Sequence, residues 1–597
     1  MPQIKFIINL KLMKNAVRLI FVSWLLALGS SLSAQTNLRL SEPLMLPVLK
    51  GQYNPSQFYS GQPNSSKAAI KQNLLTQTSS DSLLQYLFGL NQFKNRNSGS
   101  DTLAVSNGIG AARNWALAQF NKMKQYNPAF ITGFFQFDKM ICNMNTHKNV
   151  LGILPGTDTS QKGFILIEAH YDSRCESSCD TACEARGMED NGSGVALVLE
   201  LARVLSKHTF QRTLVFMLTT AEEQGLDGAN AFAVYAKTNA LPIRAVLNND
   251  VIGGIICGKT ASPPGCPGEN EIDSLQVRIF SSGANYSMPK GLARYTKLSF
   301  EEELLAEMSV KTNIQIMNAE DRIGRGGDHI PFRQQGYAAI RFTSANEHGD
   351  ANATAPGYLD RQHSTRDVLG KDLNGDGIFD SLFVSTSYLK RNVQINGITT
   401  AMLAIGPQDP PEFELINDGN GLSVKLTNPQ AKYAYRIGFR GRGNTFDTIF
   451  TLQNQADLKT YHVKKDSFYF VSVATMDAAG TESLFSMEKY VKVAGVPATG
   501  VLEKDAISNK MQLLPVSPNP IDETLTLSVY MPNPKPGFTG RLIITDLQGR
   551  IVKSLTIALD KTINEVVFEH GFSTKGLYFC SLFVAEEKMD MQRLWFK

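Results

Sequence analysis

The sequence is poor in tryptophan, with 3 in 597 residues, and only 19% of its residues are charged. Apolar residues still reach 43%, an ordinary globular composition that excludes wholesale disorder. It lacks an excess of either charge: 59 Lys and Arg stand against 55 Asp and Glu. Lys5, Lys11, Lys14 and Arg18, with no acid among the first 34 residues, account for the whole of the +4. A neutral remainder argues against nucleic acid as a partner. Nowhere does the chain approach the roughly 18 uninterrupted apolar residues of a membrane-spanning helix, so no transmembrane anchor is expected. A length about four times the ~150-residue domain prior excludes a single compact unit.

The first 34 residues combine a basic start, an apolar run from Leu19 to Leu28 and small residues up to Ala34. That order describes a Sec signal peptide, which makes the protein exported. The 7 cysteines suit an oxidising compartment. Cys257 and Cys266 bracket a turn-rich segment and are expected to pair, as are two of Cys175, Cys179 and Cys183.

From residue 65 to 406 short apolar runs alternate with amphipathic ones; residues 35–64 read as a linker. Asn149–Leu154, Gly163–Ala169, Leu214–Leu218, Ala245–Leu247 and Ala338–Phe342 read as buried strands, and Gly194–Ser206 and Ile398–Ile405 as helices. This predicts an α/β domain with a mostly parallel central sheet flanked by helices. At Gly406-Pro407 the character changes, and two small all-β sandwich domains are expected over 407–498 and 513–597, joined by a linker at 499–512. The first, with Tyr469–Ala474 as a late strand, resembles a fibronectin type III module. The second carries Ser517-Pro518-Asn519-Pro520, Asp546-Leu547-Gln548-Gly549-Arg550 and Gly576-Leu577-Tyr578-Phe579 before a basic end. It resembles the C-terminal sorting domain of the Bacteroidetes type IX secretion system. That resemblance implies the type IX machinery as partner, passage across the outer membrane after Sec export, and a secreted or cell-surface location.

Five segments at strand ends or just after supply a metal-ligand inventory: Glu168-Ala169-His170-Tyr171-Asp172-Ser173, Glu189-Asp190-Asn191-Gly192-Ser193-Gly194, Thr220-Ala221-Glu222-Glu223-Gln224-Gly225-Leu226, Asn248-Asn249-Asp250 and Arg361-Gln362-His363-Ser364-Thr365-Arg366-Asp367. In open α/β sheets ligands bind beyond the carboxyl ends of the strands. Two imidazoles and three carboxylates suit two ions such as Zn²⁺, one carboxylate bridging, with a further carboxylate left to take a proton from water. Adjacent Glu222 and Glu223 offer that division.

These segments, with Asn95-Arg96-Asn97-Ser98-Gly99-Ser100, Asn149–Gly156 and Gly327-Asp328-His329 as flanks, resemble the M28 family of zinc metallopeptidases, which includes leucyl-type aminopeptidases. The resemblance implies that His170 and Asp250 hold one zinc, that Glu223 and His363 hold the other, and that Asp190 bridges them. It gives Glu222 as general base, Asp172 as the residue orienting His170, and a cis peptide at Asp190-Asn191. Gln362 stands where the family often has tyrosine. The segment between Asp172 and Asp190 is expected at the pocket rim, shaping specificity. His329 reads as a packing or pocket residue and His348 as a loop residue; His147, His208, His462 and His570 have no supporting spacing.

The implied activity is zinc-dependent exopeptidase hydrolysis of peptides, foremost as an aminopeptidase. A carboxypeptidase or dipeptidase of the same fold, and a one-zinc glutaminyl cyclase, are the alternatives. A second kind of metal site is offered by Asp372, Asn374, Asp376 and Asp380, spaced like the first part of a calcium loop, although Phe383 stands where an EF-hand needs Glu.

Overall fold

The computed structural model describes residues 35–596 except 60–63, 162, 260–263, 284–286, 348–360, 377, 418–420, 454–457, 462, 464–466, 494–510, 515, 517–523, 532–533, 562, 570–574 and 586. The signal segment, the Ser517–Pro520 motif, His348, His462 and His570 lie outside the described residues.

The first part is a mixed sheet of nine strands: β1 (Thr36–Leu40), β2 (Ile131–Ile141), β3 (Met144–Leu154), β4 (Phe164–His170), β5 (Thr213–Thr219), β6 (Ile243–Asn249), β7 (Gln276–Ser281), β8 (Asn313–Ile316) and β9 (Ala339–Ser344). Their order is β1-β2-β3-β5-β4-β6-β9-β7-β8. The pairs β5·β4, β4·β6, β6·β9 and β7·β8 are parallel, and the pairs β1·β2, β2·β3, β3·β5 and β7·β9 are antiparallel. The sheet is therefore mixed rather than mostly parallel. The five strands legible as apolar runs are its centre, while the half-polar outer strands β1, β2, β7 and β8 carry no such run.

The stretch 35–64, expected as a linker, supplies edge strand β1 and the helix Met45–Leu49. Met45, Val48 and Leu49 share one helix face and are buried against Phe135 and Phe137 of β2. β4 and β5 are buried along their whole lengths, as expected for parallel strands covered on both faces. The helices Ser193–Leu205 and Thr386–Ile405 pack together in the main core. The helix Asp227–Thr238 contributes to the second core cluster with β2, β3 and β5.

Beyond residue 406 the elements formed by the described residues are all β-strands. A three-stranded sheet (Phe413–Asn417, Leu422–Leu426, Leu458–Tyr461) and a four-stranded one (Thr448–Leu452, Ala434–Arg440, Phe468–Met476, Lys489–Lys492) share one apolar cluster. A second three-plus-four arrangement, ending in Glu587–Phe596, encloses another. Among the described residues no helix is long and apolar enough to cross a membrane.

Candidate metal centre

The site is built from the carboxyl edge of the parallel strands. β4 ends on His170, β5 runs out just before Glu222 and Glu223, and β6 ends immediately before Asp250. Ala221, Val251 and His363 have φ of 58°, 57° and 55°. This left-handed region is rarely entered by residues other than glycine, and its concentration here marks loops held by their surroundings. Asp190 lies ahead of the helix Ser193–Leu205, and the Asp190–Asn191 peptide is cis. Asn191 accepts from the Gly194 amide at 3.0 Å and donates to Asn249 O at 2.8 Å, tying that helix to the end of β6. A Cβ on Gly194 would lie 2.3 Å from Asn249 O, so only glycine permits this approach.

Asp190 stands between two imidazoles. Its Oδ1 is 3.0 Å from His170 Nε2 and its Oδ2 is 3.1 Å from His363 Nε2. Asp250 Oδ1 lies 3.3 Å from His170 Nε2, and Glu223 Oε2 lies 3.1 Å from His363 Nε2. A Glu222 oxygen falls within 4.8 Å of the donor atoms of His170 and Asp250. Asp172 accepts the amides of Glu222 and Glu223 at 3.3 and 3.2 Å, and its carbonyl lies 3.2 Å from His170 Nδ1. All seven expected residues are thus in one cluster.

This donor set fits divalent cations. Asp190, Asp250 and His170 are buried, and Glu223 Oε1 is buried without a hydrogen-bond partner. Packing several carboxylates in so little space without a cation is costly. Burial opposes the charge on Asp190, yet the bonds to His170 and His363 hold its carboxyl well below the ordinary range. Asp250 is likewise held low, its burial outweighed by Arg341 and His170. Glu222 goes the other way: burial, helped by Asp250, Asp328 and Glu223, drives it well above the ordinary range against the pull of His170.

Several contributors were not assigned a role from the sequence. Asp367 accepts the amides of Glu189 and Asp190 at 2.8 and 2.9 Å, one on each oxygen. Arg96, fully buried, donates to Tyr171 O at 2.8 Å and Gly187 O at 2.9 Å, clamping the two ligand loops together. Arg341 pairs with Asp250 at 3.0 Å and with Asp321 at 2.8 Å. Glu168, two residues before His170, is fully buried with neither oxygen hydrogen-bonded among the described residues. Burial, then Asp328 and Asp250, raises its pKa well above the ordinary carboxylate range. Gln362 accepts from Arg325 at 2.7 Å.

Outside the centre, His329 is buried and shares a hydrogen bond with Glu320 O at 3.0 Å. His147 meets Lys139 O at 3.1 Å. The oxygens of Asp372, Asn374, Asp376 and Asp380 accept from amides of their own loop, at 2.7, 3.0, 2.8 and 2.6 Å. Bonds of this kind, from a backbone amide to a side-chain oxygen two or three residues earlier, are those of Asx turns. Disulfides join Cys257 to Cys266 and Cys175 to Cys183, and Cys179 pairs with Cys142, a partner 37 residues away that spacing did not suggest.

Buried imidazoles and carboxylates at the carboxyl edge of an α/β sheet define the class: a metal-dependent hydrolase. Residues 149–259, which contain His170, Asp190, Glu222, Glu223 and Asp250 but not His363, match Peptidase family M28. A probable zinc metalloprotease of Leptosphaeria maculans is 26% identical over 416 residues, covering 67% of this chain and 92% of the relative. Among solved structures, the LapA aminopeptidase of Legionella pneumophila shares 17% identity at a TM-score of 0.41, covering 58% of this chain and 77% of its own. A glutaminyl cyclase of Porphyromonas gingivalis shares 16% at a TM-score of 0.37, covering 54% and 97%. The chain is a metallopeptidase-type hydrolase, and its residues 149–259 resemble Peptidase family M28.

Proposed function

We propose that the protein is an exported di-zinc exopeptidase that removes residues from peptide N-termini. The observation that carries this reading is Asp190, its two oxygens 3.0 and 3.1 Å from two imidazoles. Each imidazole is backed by one further carboxylate, Asp250 on one side and Glu223 on the other. In this reading His170 and Asp250 hold one zinc, Glu223 and His363 hold the other, and Asp190 bridges. When bound, the zinc pair polarises the scissile carbonyl and makes nearby water more acidic. Glu222 takes a proton from the attacking water and delivers it to the leaving amine; its burial and raised pKa suit both transfers. Asp172 fixes the base relative to the ligands, because it holds the amides of Glu222 and Glu223 while abutting His170.

The exported location rests on the basic-then-apolar segment up to Ala34, the three disulfides and the motifs of the last 85 residues, read as a type IX sorting domain. The preceding seven strands are read as a fibronectin type III-like module.

The test is mass spectrometry of a mixed pool of free and N-acetylated peptides incubated with the protein, with and without chelator. Chelator-sensitive loss of single N-terminal residues from free peptides alone is expected. Trimming at the C-terminus would identify a carboxypeptidase, and loss of ammonia from N-terminal glutamine a cyclase.

A further inference from the structure

We infer that Arg341, steadied by Asp321, is a positioning residue of the metal centre: it occupies one oxygen of Asp250 and sets how tightly an ion beside His170 is held. This rests on the di-zinc reading and extends it to two residues that hold no metal themselves. A buried arginine needs partners, and the Arg341 side chain is 2% exposed inside β9. Its neighbours in register are Asn248 of β6, two residues before Asp250, and Phe280 of β7. The guanidinium thus reaches the carboxyl edge of the sheet, where β6 ends.

The partners of Asp250 divide between its two oxygens. Oδ1 lies 3.3 Å from His170 Nε2, and Oδ2 lies 3.0 Å from Arg341 Nη2. At Glu223 the arrangement differs: His363 and Arg174 both meet Oε2, at 3.1 and 2.9 Å. There cation and imidazole share one oxygen, whereas at Asp250 each has its own. Arg341 therefore stays in place when an ion takes Oδ1, and it fixes the carboxylate in the orientation that offers that oxygen.

A guanidinium so close would also oppose a dication, because charges in a protein interior are weakly screened. Asp321 answers that charge. Both its oxygens accept from Arg341 Nη1, at 3.0 and 2.8 Å, and Gly326 O accepts from the same nitrogen at 2.7 Å. The Asp321 side chain is 4% exposed, and the amide and Nε of Arg322 donate to its Oδ1 at 2.8 and 3.1 Å. A Cβ on Gly327 would come within 3.0 Å of Arg341 Cδ, so this loop closes tightly on the arginine. Charges alternate outward from the centre, from Asp250 to Arg341 to Asp321. The outermost one offsets the field that the arginine sets against the ion.

The test is zinc binding by the metal-free full chain, read by competition with a fluorescent chelator, beside its unfolding temperature. Asp321→Asn keeps the shape and removes the offsetting charge. One of the two zinc equivalents is expected to weaken by about 10–100-fold, and the other to stay unchanged. In Arg341→Met combined with Asp321→Asn the opposing charge is gone too. The same equivalent is then expected to bind about tenfold or more tighter than in the native chain. Damage to the fold would weaken binding in both variants, so the opposite signs separate positioning from mere stability. Weakening in both, no change in either, or equal shifts of both equivalents overturns the proposal. A native chain that binds a single zinc sinks the two-metal reading alone, and the same opposite shifts on that one ion then decide the role of Arg341. A native chain that binds no zinc overturns both.

Discussion

Asp367 holds the backbone of Asp190, its two oxygens taking the amides of residues 189 and 190 at 2.8 and 2.9 Å. It lies four residues beyond His363 and is buried. Burial and the neighbouring Glu189 push its carboxyl up to about 7, against the two amide bonds. One short segment thus supplies a proposed ligand for the second metal and the support for the bridging carboxylate. Outer partners of this kind are typically worth about 10–100-fold in metal affinity. Asp367→Ala is expected to weaken zinc binding by that factor, read by competition with a fluorescent chelator, and Asp367→Asn, which keeps one acceptor, by less. Unchanged affinity in the alanine variant would remove Asp367 from the centre.

Glu222 and Glu223 are neighbours with different proposed work. Glu223 faces His363 at 3.1 Å, whereas Glu222 lies toward His170 and Asp250. Glu222→Gln is expected to keep two zincs per chain by elemental analysis and to lose turnover by about 10²–10⁴-fold, the usual scale for a removed general base. A variant retaining more than a few per cent of kcat would sink the assignment.

The candidate metal-holding residues stood out in the sequence because that chemistry calls for His, Asp and Glu in short motifs at strand ends. His170 closes an apolar strand, Asp190 opens a helix, and Glu222, Glu223 and Asp250 follow strands rich in Val, Leu and Ile. Arg96 and Asp367 lie in segments the sequence singled out, but their supporting roles were not legible, since they act across 91 and 177 positions in sequence. Arg341 did leave a signal: an arginine inside the buried strand Ala339–Ser344 needs a partner. β2 escaped because its apolar positions are interrupted by Gln136 and Asp138 at the half-covered side of the sheet. Cys142, one residue past its end, therefore was not among the cysteines expected to pair.

Acid sensitivity is expected from a histidine outside the candidate metal centre. His208 is buried, and its Nε2 lies 2.9 Å from the Asn73 side-chain amide, which requires a neutral ring accepting that bond. Burial, with Lys207 adding, lowers its pKa from 6.5 to about 4. As pH falls through 6.5 the unfolded chain takes up a proton that the folded one refuses until about 4. Stability from this group is therefore present above that window and lost as pH falls across it. Denaturant unfolding of metal-free protein at several pH values should show the loss, and His208→Gln, which keeps an acceptor, should flatten the slope. Parallel slopes for both proteins would exclude His208 as the cause.

Glu488 joins the first all-β unit to the peptidase unit. It accepts from Arg440 Nε at 2.7 Å and pairs with Arg294 at 3.2 Å. Arg294 belongs to the helix Met288–Glu303, Arg440 to the strand Ala434–Arg440, and all three side chains are buried. Arg436 adds a pair to Glu302 at 2.7 Å, and Phe485 and Ala474 belong to the same apolar cluster as the helix Thr386–Ile405. Apolar packing and buried ion pairs across one boundary couple the two units, so they should unfold together rather than as beads on a string. Glu488→Ala leaves two buried guanidinium groups without this carboxylate, a change that typically costs about 3–5 kcal/mol. Calorimetry of the full chain should show the peptidase transition itself moving to lower temperature in Glu488→Ala. If only a separate, smaller transition moves, the module is an independent spacer and the coupling across Glu488 is absent.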